Sequence, residues 1–313
     1  MSLGASGGEV SAHGGASVMI DAVHRHRYGR GMALAVAATL MFACADTLSK
    51  YLAVNYPVNQ IAFARYVVPL LLVVAMYGPR RGVGLVRAQH PWLQVLRGLL
   101  LANCTVTIVL AMRMMPIAEA QAISFIHPLL LTLLAVAFLR ERVNPLVWLA
   151  ITMGFCGVLL IVRPGGGFDT PAALLPLIMA LSYAAYQALT RHVTARDPVP
   201  NSMFFVMLVG ATVTGLSLTL SYKSPDLRGA LLLGCAGLFS GTGHFCMIRA
   251  LESAPASRLA PVAYVQVLWV ILLGAWVFGN IPVGLTLLGI AMVVGGGLFA
   301  TVARPAPVAA ALV

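Results

Sequence analysis

Asp46, Lys50, Arg65 and Glu119 each fall inside, or at the edge of, a long hydrophobic run of the chain. An Asp, Lys or Arg placed centrally in a bilayer costs about 2.5 to 3.5 kcal/mol, so each needs a partner or a task. Counted from Arg30 at about 1.5 Å per residue, Asp46 lies roughly 24 Å along its helix and Lys50 roughly 30 Å, which lets Lys50 snorkel to an interface. Arg65 and Glu119 enter from that same end. Together the four can form one network, either a gate that meets ligand charges or a permanent ion-pair cluster that fixes the helices.

Deeper in the apolar runs stand His127 and Gln266, with Pro128 and Pro261 in the same two helices. Each proline removes a backbone donor and frees a carbonyl to bend the helix or meet a ligand. His244 is a further titratable group within a span. Tyr183, Tyr186, Gln187 and Thr190 recur at spacings of three and four, as do Asn103 and Thr107, so each set shares a helix face. With Tyr264 and Trp269 these residues make an aromatic-walled pocket carrying amide and hydroxyl groups, suited to a small polar molecule with some apolar body. The competing reading is helix packing through interhelical hydrogen bonds, and Gly237-x-x-x-Gly241 marks a close helix contact.

Other chemistry is disfavoured. The run Gly165-Gly166-Gly167 lacks the lysine of a phosphate-binding loop, and neither His-Glu-x-x-His nor Gly-x-Ser-x-Gly occurs. Cys44, Cys104, Cys156, Cys235 and Cys246 are odd in number and scattered through apolar runs, which argues against a disulfide framework or a zinc site. No metal, no cofactor and no catalytic residue is expected. The net charge of +11 comes from basic residues set singly or in small groups between apolar runs, without the basic face that nucleic acid requires.

The elements that must position these residues are membrane helices. Hydrophobic residues make up 60% of the chain and charged ones 9%, with mean hydropathy +0.92, which fits an all-α polytopic membrane protein in contact with lipid. Ten spans are read, near 30–54, 58–78, 91–112, 116–139, 145–162, 172–193, 201–222, 228–251, 255–279 and 283–302. Residues 1–28, rich in Gly, Ser, Ala and His, are expected to form a disordered cytoplasmic tail, and 304–313 a second tail. With both termini inside, thirteen basic residues from Arg25 to Arg304 face the cytoplasm and four, Arg113, Arg163, Lys223 and Arg228, face out.

The stretch from Ala111 to Pro164 returns once. Moving it by 139 positions places Pro116 on Pro255, His127 on Gln266, Glu141 on Asn280 and Gly157 on Gly296. Farther upstream a shift of 141 sets Asp46 on Gln187 and Lys50 on Arg191. Residues 29–165 and 170–303 are therefore expected to be two five-helix repeats. An odd number of spans per repeat inserts the second copy upside down, and two inverted units give two states of similar energy by exchanging conformations. The copies differ in their acids: Glu119 maps to Arg258, Asp46 to Gln187 and Arg65 to Val206, so the two gates are expected to differ in chemistry.

The pattern Ala-Leu/Met-x-x-x-Pro, then an apolar helix, an elbow (Glu141-Arg142 in the first copy) and a glycine-containing helix, resembles the EamA family of the drug/metabolite transporter superfamily. The resemblance covers about residues 30–302. It implies a ten-helix secondary transporter of a small-molecule substrate in the bacterial inner membrane, with amino-acid export as the first expectation. The wording ACADTLSKYL followed by FARY is similar to members linked to riboflavin or S-adenosylmethionine uptake, which makes import of a cofactor-like metabolite the second.

Overall fold

A computed structural model describes residues 9–139, 145–162, 170–194, 197–253, 260–282 and 284–303, and every regular element among them is helical. The first half holds α1 (Glu9–Leu52), α2 (Val58–Arg81), α3 (Pro91–Met114), α4 (Ile117–Ser124), α5 (His127–Leu139) and α6 (Pro145–Val162). The second holds α7 (Thr170–Thr194), α8 (Val199–Leu216), α9 (Leu227–Ser253), α10 (Val265–Phe278) and α11 (Leu285–Ala303). Among the described residues six stretches are long and apolar enough to cross a bilayer: Gly29–Leu52, Val58–Val86, Pro91–Met114, Ala172–Thr190, Val199–Thr219 and Leu227–Ala250. Ile117–Leu131, Trp148–Val162, Val262–Phe278 and Leu285–Phe299 are shorter apolar helices.

Three expectations need correction. Residues 9–28 are helical and continue into α1, because extending an existing helix avoids the nucleation step. The fourth span is broken: α4 ends at Ser124, a turn at Phe125-Ile126 follows, and α5 starts at His127. Pro128 is the cause. It has no N–H for the Ser124 carbonyl four residues back, and His127 Nδ1 takes that carbonyl at 3.1 Å instead. In the ninth span a 3-10 turn over Ala260–Tyr264, which contains Pro261, precedes the regular helix from Val265. Phe125-Ile126 and Tyr264-Val265 are equivalent under the 139-residue shift. Both copies thus break at the same place, although their prolines are not equivalent. At its far end α10 is closed by Gly279, whose φ of 67° lets its N–H reach the Ala275 carbonyl.

The packing repeats across the halves. α1 lies on α9 and α10, while its counterpart α7 lies on α3, α4 and α5; α2 meets α8 and α9, while α8 meets α2 and α3. The partnership of α6 and α11 fixes the relation between the copies. A Cβ on Gly157 would stand 2.7 Å from the Gly289 carbonyl, and one on Gly296 would stand 2.8 Å from the Ala150 carbonyl. Shifting the first contact by 139 yields the second. Seven residues back along α6 is seven forward along α11, so these equivalent helices run antiparallel, as inverted repeats require. Elsewhere Gly237 lets α9 approach Ala64 and Val68 of α2, and Gly241 approaches Pro69 and Leu72, a close contact as the spacing implies.

Equivalent amides clamp the two ends of the α2–α8 pair. Gln60 in α2 exchanges two hydrogen bonds with the Lys223 backbone, at 2.9 and 3.1 Å. Its counterpart Asn201 in α8 donates to the carbonyls of Gly84 and Arg87 at 2.8 and 2.7 Å and accepts from Arg81 at 3.0 Å. Each copy holds the other's loop.

At the end where α1 finishes, Tyr56 also donates to Asp226 at 2.8 Å, and Asp226 accepts from the Gly229 N–H at 2.9 Å. The Tyr56 hydroxyl, then the Gly229 amide, hold the Asp226 carboxyl below its usual range. The same bond pushes Tyr56 up. A lowered acid stabilises the fold above its ordinary value of 3.8 and loses that contribution as pH falls through its folded value. The raised phenol does the reverse, losing its contribution as pH rises past 10.0. The melting-temperature gap between wild type and Asp226→Ala is therefore expected to be flat through neutral pH and to shrink at both extremes. A gap that peaks in acid would refute this latch.

Candidate functional site

Asp46 of α1 is the centre of a buried polar cluster. Arg65 Nη1 from α2 bonds Oδ1 at 2.7 Å, and Gln121 Nε2 from α4 bonds Oδ2 at 2.6 Å. Gln266 Nε2 from α10 reaches the same Oδ2 at 3.3 Å, and Arg65 also donates to Ser49 at 3.1 Å. Four elements from both repeats therefore converge on one carboxylate. The expected pairing of Asp46 with Arg65 is present. Arg65 Nε and Trp269 Nε1 are buried donors with no partner among the described residues.

Lys50 has a different role from the one expected. Rather than snorkelling, its ammonium turns inward to the carbonyls of Met112 and Met115, at 2.8 and 2.7 Å, and lies 5.5 Å from the Phe278 ring. The last carbonyls at the C-terminus of α3 carry partial negative charge, so a cation is well placed there. Buried Glu119 lies within electrostatic reach of Lys50. Of the four charges, Asp46 and Arg65 bond each other directly.

A row of rings crosses the middle of the protein. Phe125 and Tyr264, equivalent residues at the two helix breaks, stand 5.6 Å apart. Phe125 is 5.6 Å from His127, His127 meets Tyr183 edge-on at 4.7 Å, and Tyr183 stacks on Tyr186 at 5.7 Å. His127 and Gln266 are expected to approach each other as a symmetric pair; the structure gives them different partners, Tyr183 for His127 and Asp46 for Gln266. Phe125 and Tyr264, the equivalent residues at the two breaks, are the pair that meets instead.

The row ends on Arg97 of α3, a residue to which the sequence pattern gave no role. Its guanidinium lies 5.3 Å from the Tyr186 ring; Nε donates to Thr190 at 3.0 Å and Nη1 to Gln94 at 2.6 Å. Gln94 passes the contact on to Asp197 at 2.8 Å and Ser202 at 2.9 Å. Asp197 adds to the reading of the two ends. The second copy has lost the acids equivalent to Asp46 and Glu119, but this loop residue restores one near the opposite end of the bundle. The available signal was Gln94 and Arg97 three apart in an apolar run, which places both on one face.

The remaining expected pocket residues are dispersed. Asn103 is exposed and bonds Ser182 at 2.9 Å, so it ties α3 to α7 instead of lining a pocket. Thr107 spends its hydroxyl on its own helix, bonding the Asn103 and Cys104 carbonyls. Gln187 is half-buried with no hydrogen bond among the described residues, and His244 packs edge-on against Phe42 at 4.9 Å. The hydroxyl end of Tyr264 lies over Gly297, where only a glycine leaves room. The five cysteines are free, and no cluster among the described residues could hold a metal ion. Arg258 and the Arg140-Glu141-Arg142 elbow lie outside the described residues.

The EamA-like transporter family matches residues 29–163 and again 170–302, one match on each half. The chain belongs to the EamA-like transporter family. It is a multi-pass membrane protein of this bacterial transporter family, related to proteins of several named activities. It is 27% identical to a riboflavin transporter of Rhizobium johnstonii, over 84% of this chain and 88% of that protein. An S-adenosylmethionine uptake transporter of Rickettsia bellii is 25% identical over 90% of this chain and 96% of its own. The pseudopaline exporter of Pseudomonas aeruginosa is 27% identical, covering 84% and 93%. One crystal structure of a protein superposes with a TM-score of 0.63 at 21% identity, over 87% of this EamA chain and 96% of its own, a likeness of fold alone. The relatives' names lend no support to amino-acid export.

Proposed function

We propose that this EamA protein is a secondary carrier that takes up a small metabolite with a flat ring system, of the kind riboflavin and S-adenosylmethionine represent. It sits in the bacterial inner membrane with both termini in the cytoplasm, and the four shorter apolar helices complete ten crossings. Transport proceeds by alternating access between the inverted halves. The observation that carries this reading is the row Phe125, His127, Tyr183 and Tyr186, offering ring faces and edges from both α5 and α7 between the Asp46 cluster and Arg97. Stacked and edge-on rings suit a planar ligand. In proteoliposomes the purified protein is expected to accumulate labelled riboflavin or S-adenosylmethionine above empty vesicles, with runs at and without a pH gradient revealing any proton coupling. No flux of either compound would defeat the proposal. Export is the second reading, favoured by the pseudopaline exporter among the relatives. Vesicles of defined orientation separate the two directions.

A further inference from the structure

Arg97 is 3% exposed, inside an apolar helix, and no carboxylate lies within ion-pair distance of it among the described residues, where Asp46–Arg65 is the one ion pair. Its partners are neutral: the Thr190 hydroxyl, the Gln94 carbonyl oxygen and the Tyr186 ring. Asp197 stands one residue removed, behind Gln94, and spends its two oxygens on the Gln94 amide and the Gln89 N–H. A guanidinium carries five N–H donors, and the bonds to Thr190 and Gln94 use two of them. A buried cation that lacks a counter-ion is costly, and a planar fork of donors matches a carboxylate or phosphate. Arg97 lies 5.3 Å from the Tyr186 ring at the end of the ring row, at the place where a ring-bearing ligand would present its polar tail.

We propose that Arg97 is a specificity-determining residue that binds an anionic group of the substrate, a carboxylate above all, while the rings of Tyr183 and Tyr186 hold the substrate's flat portion. This rests on the carrier reading above and narrows it: a zwitterionic, ring-bearing metabolite is accepted in preference to a neutral one. Asp46 cannot do this, since it is an acid already paired with Arg65. Gln94, by accepting from Nη1 and donating to Asp197, positions the guanidinium without neutralising it.

The test uses S-adenosylhomocysteine and methylthioadenosine, which share the adenosine ring and differ by the amino-acid head. Binding is read by competition against labelled S-adenosylmethionine and by tryptophan fluorescence, and uptake in proteoliposomes. Wild type is expected to prefer the head-bearing compound at least tenfold. Arg97→Gln is expected to bring that ratio close to one by weakening the head-bearing compound at least tenfold, and Arg97→Lys to retain part of it. A carboxamide of the head, tested on wild type, makes the same measurement without relying on a variant that folds; it is expected to bind like methylthioadenosine. Equal binding of acid and carboxamide, or a ratio untouched in Arg97→Gln, overturns the role of Arg97 alone. If wild type binds neither nucleoside and no riboflavin, the carrier reading falls and this inference with it.

Discussion

Asp46→Leu is expected to destabilise the protein by about 3 to 5 kcal/mol and to abolish uptake, whereas the double variant Asp46→Leu/Arg65→Leu is expected to regain stability but not uptake. The single change strands the Arg65 guanidinium, which already has one buried donor without a partner, and releases the amides of Gln121 and Gln266. An uncompensated buried charge is what makes breaking such a pair expensive; replacing both members by apolar side chains removes the desolvation penalty along with the attraction. On the carrier reading, transport stays lost in the double variant because, among the described residues, Asp46 is the group that joins α1, α2, α4 and α10. Melting in detergent and flux in proteoliposomes read the two effects separately. A double variant that transports normally would reduce the pair to scaffold. One that stays as unstable as Asp46→Leu would show that the stranded charge was not the cause.

Composition and the repeat offset were enough to read helices, duplication and antiparallel counterparts, because the bilayer leaves an apolar chain few alternatives to helices and the copies preserve Gly157 and Gly296. Asp46 and Arg65 were legible as well, since depth along a straight helix is simple arithmetic. What escaped depends on how side chains turn. Lys50 could have pointed to either side of α1, and only the nearby end of α3, with its last carbonyls, decides it. His127 and Gln266 looked like a facing pair because the fourth and ninth spans were read as continuous; the break after Ser124 leaves Phe125 and Tyr264 as the pair that meets. Arg97 was passed over because its partners Thr190 and Gln94 are neutral, and a search for opposite charges cannot find a cation held by a hydroxyl, an amide and a ring. Asp197 lies between spans, where an acid raises no question by itself.

Gly157→Ala and Gly296→Ala are each expected to cost about 1 to 3 kcal/mol, by similar amounts, while Gly234→Ala in α9 gains up to about 1 kcal/mol. At Gly157 the new methyl would stand 2.7 Å from the Gly289 carbonyl and 2.9 Å from the Val293 nitrogen; at Gly296 it would stand 2.8 Å from the Ala150 carbonyl. Backbone atoms cannot rotate away as a side chain can, so the whole of α6 must move from α11. At Gly234 an added methyl meets nothing within 4 Å, and alanine's helix preference is all that remains. Likeness between the first two costs follows from the two-fold relation, because each variant opens the same contact from the opposite copy. On the alternating-access reading, their effects on transport are expected to run in parallel too, since the two glycines hold equivalent places at this crossing. If thermal melts showed one variant destabilised and the other unchanged, the crossing of α6 and α11 would not lie on the axis that relates the halves.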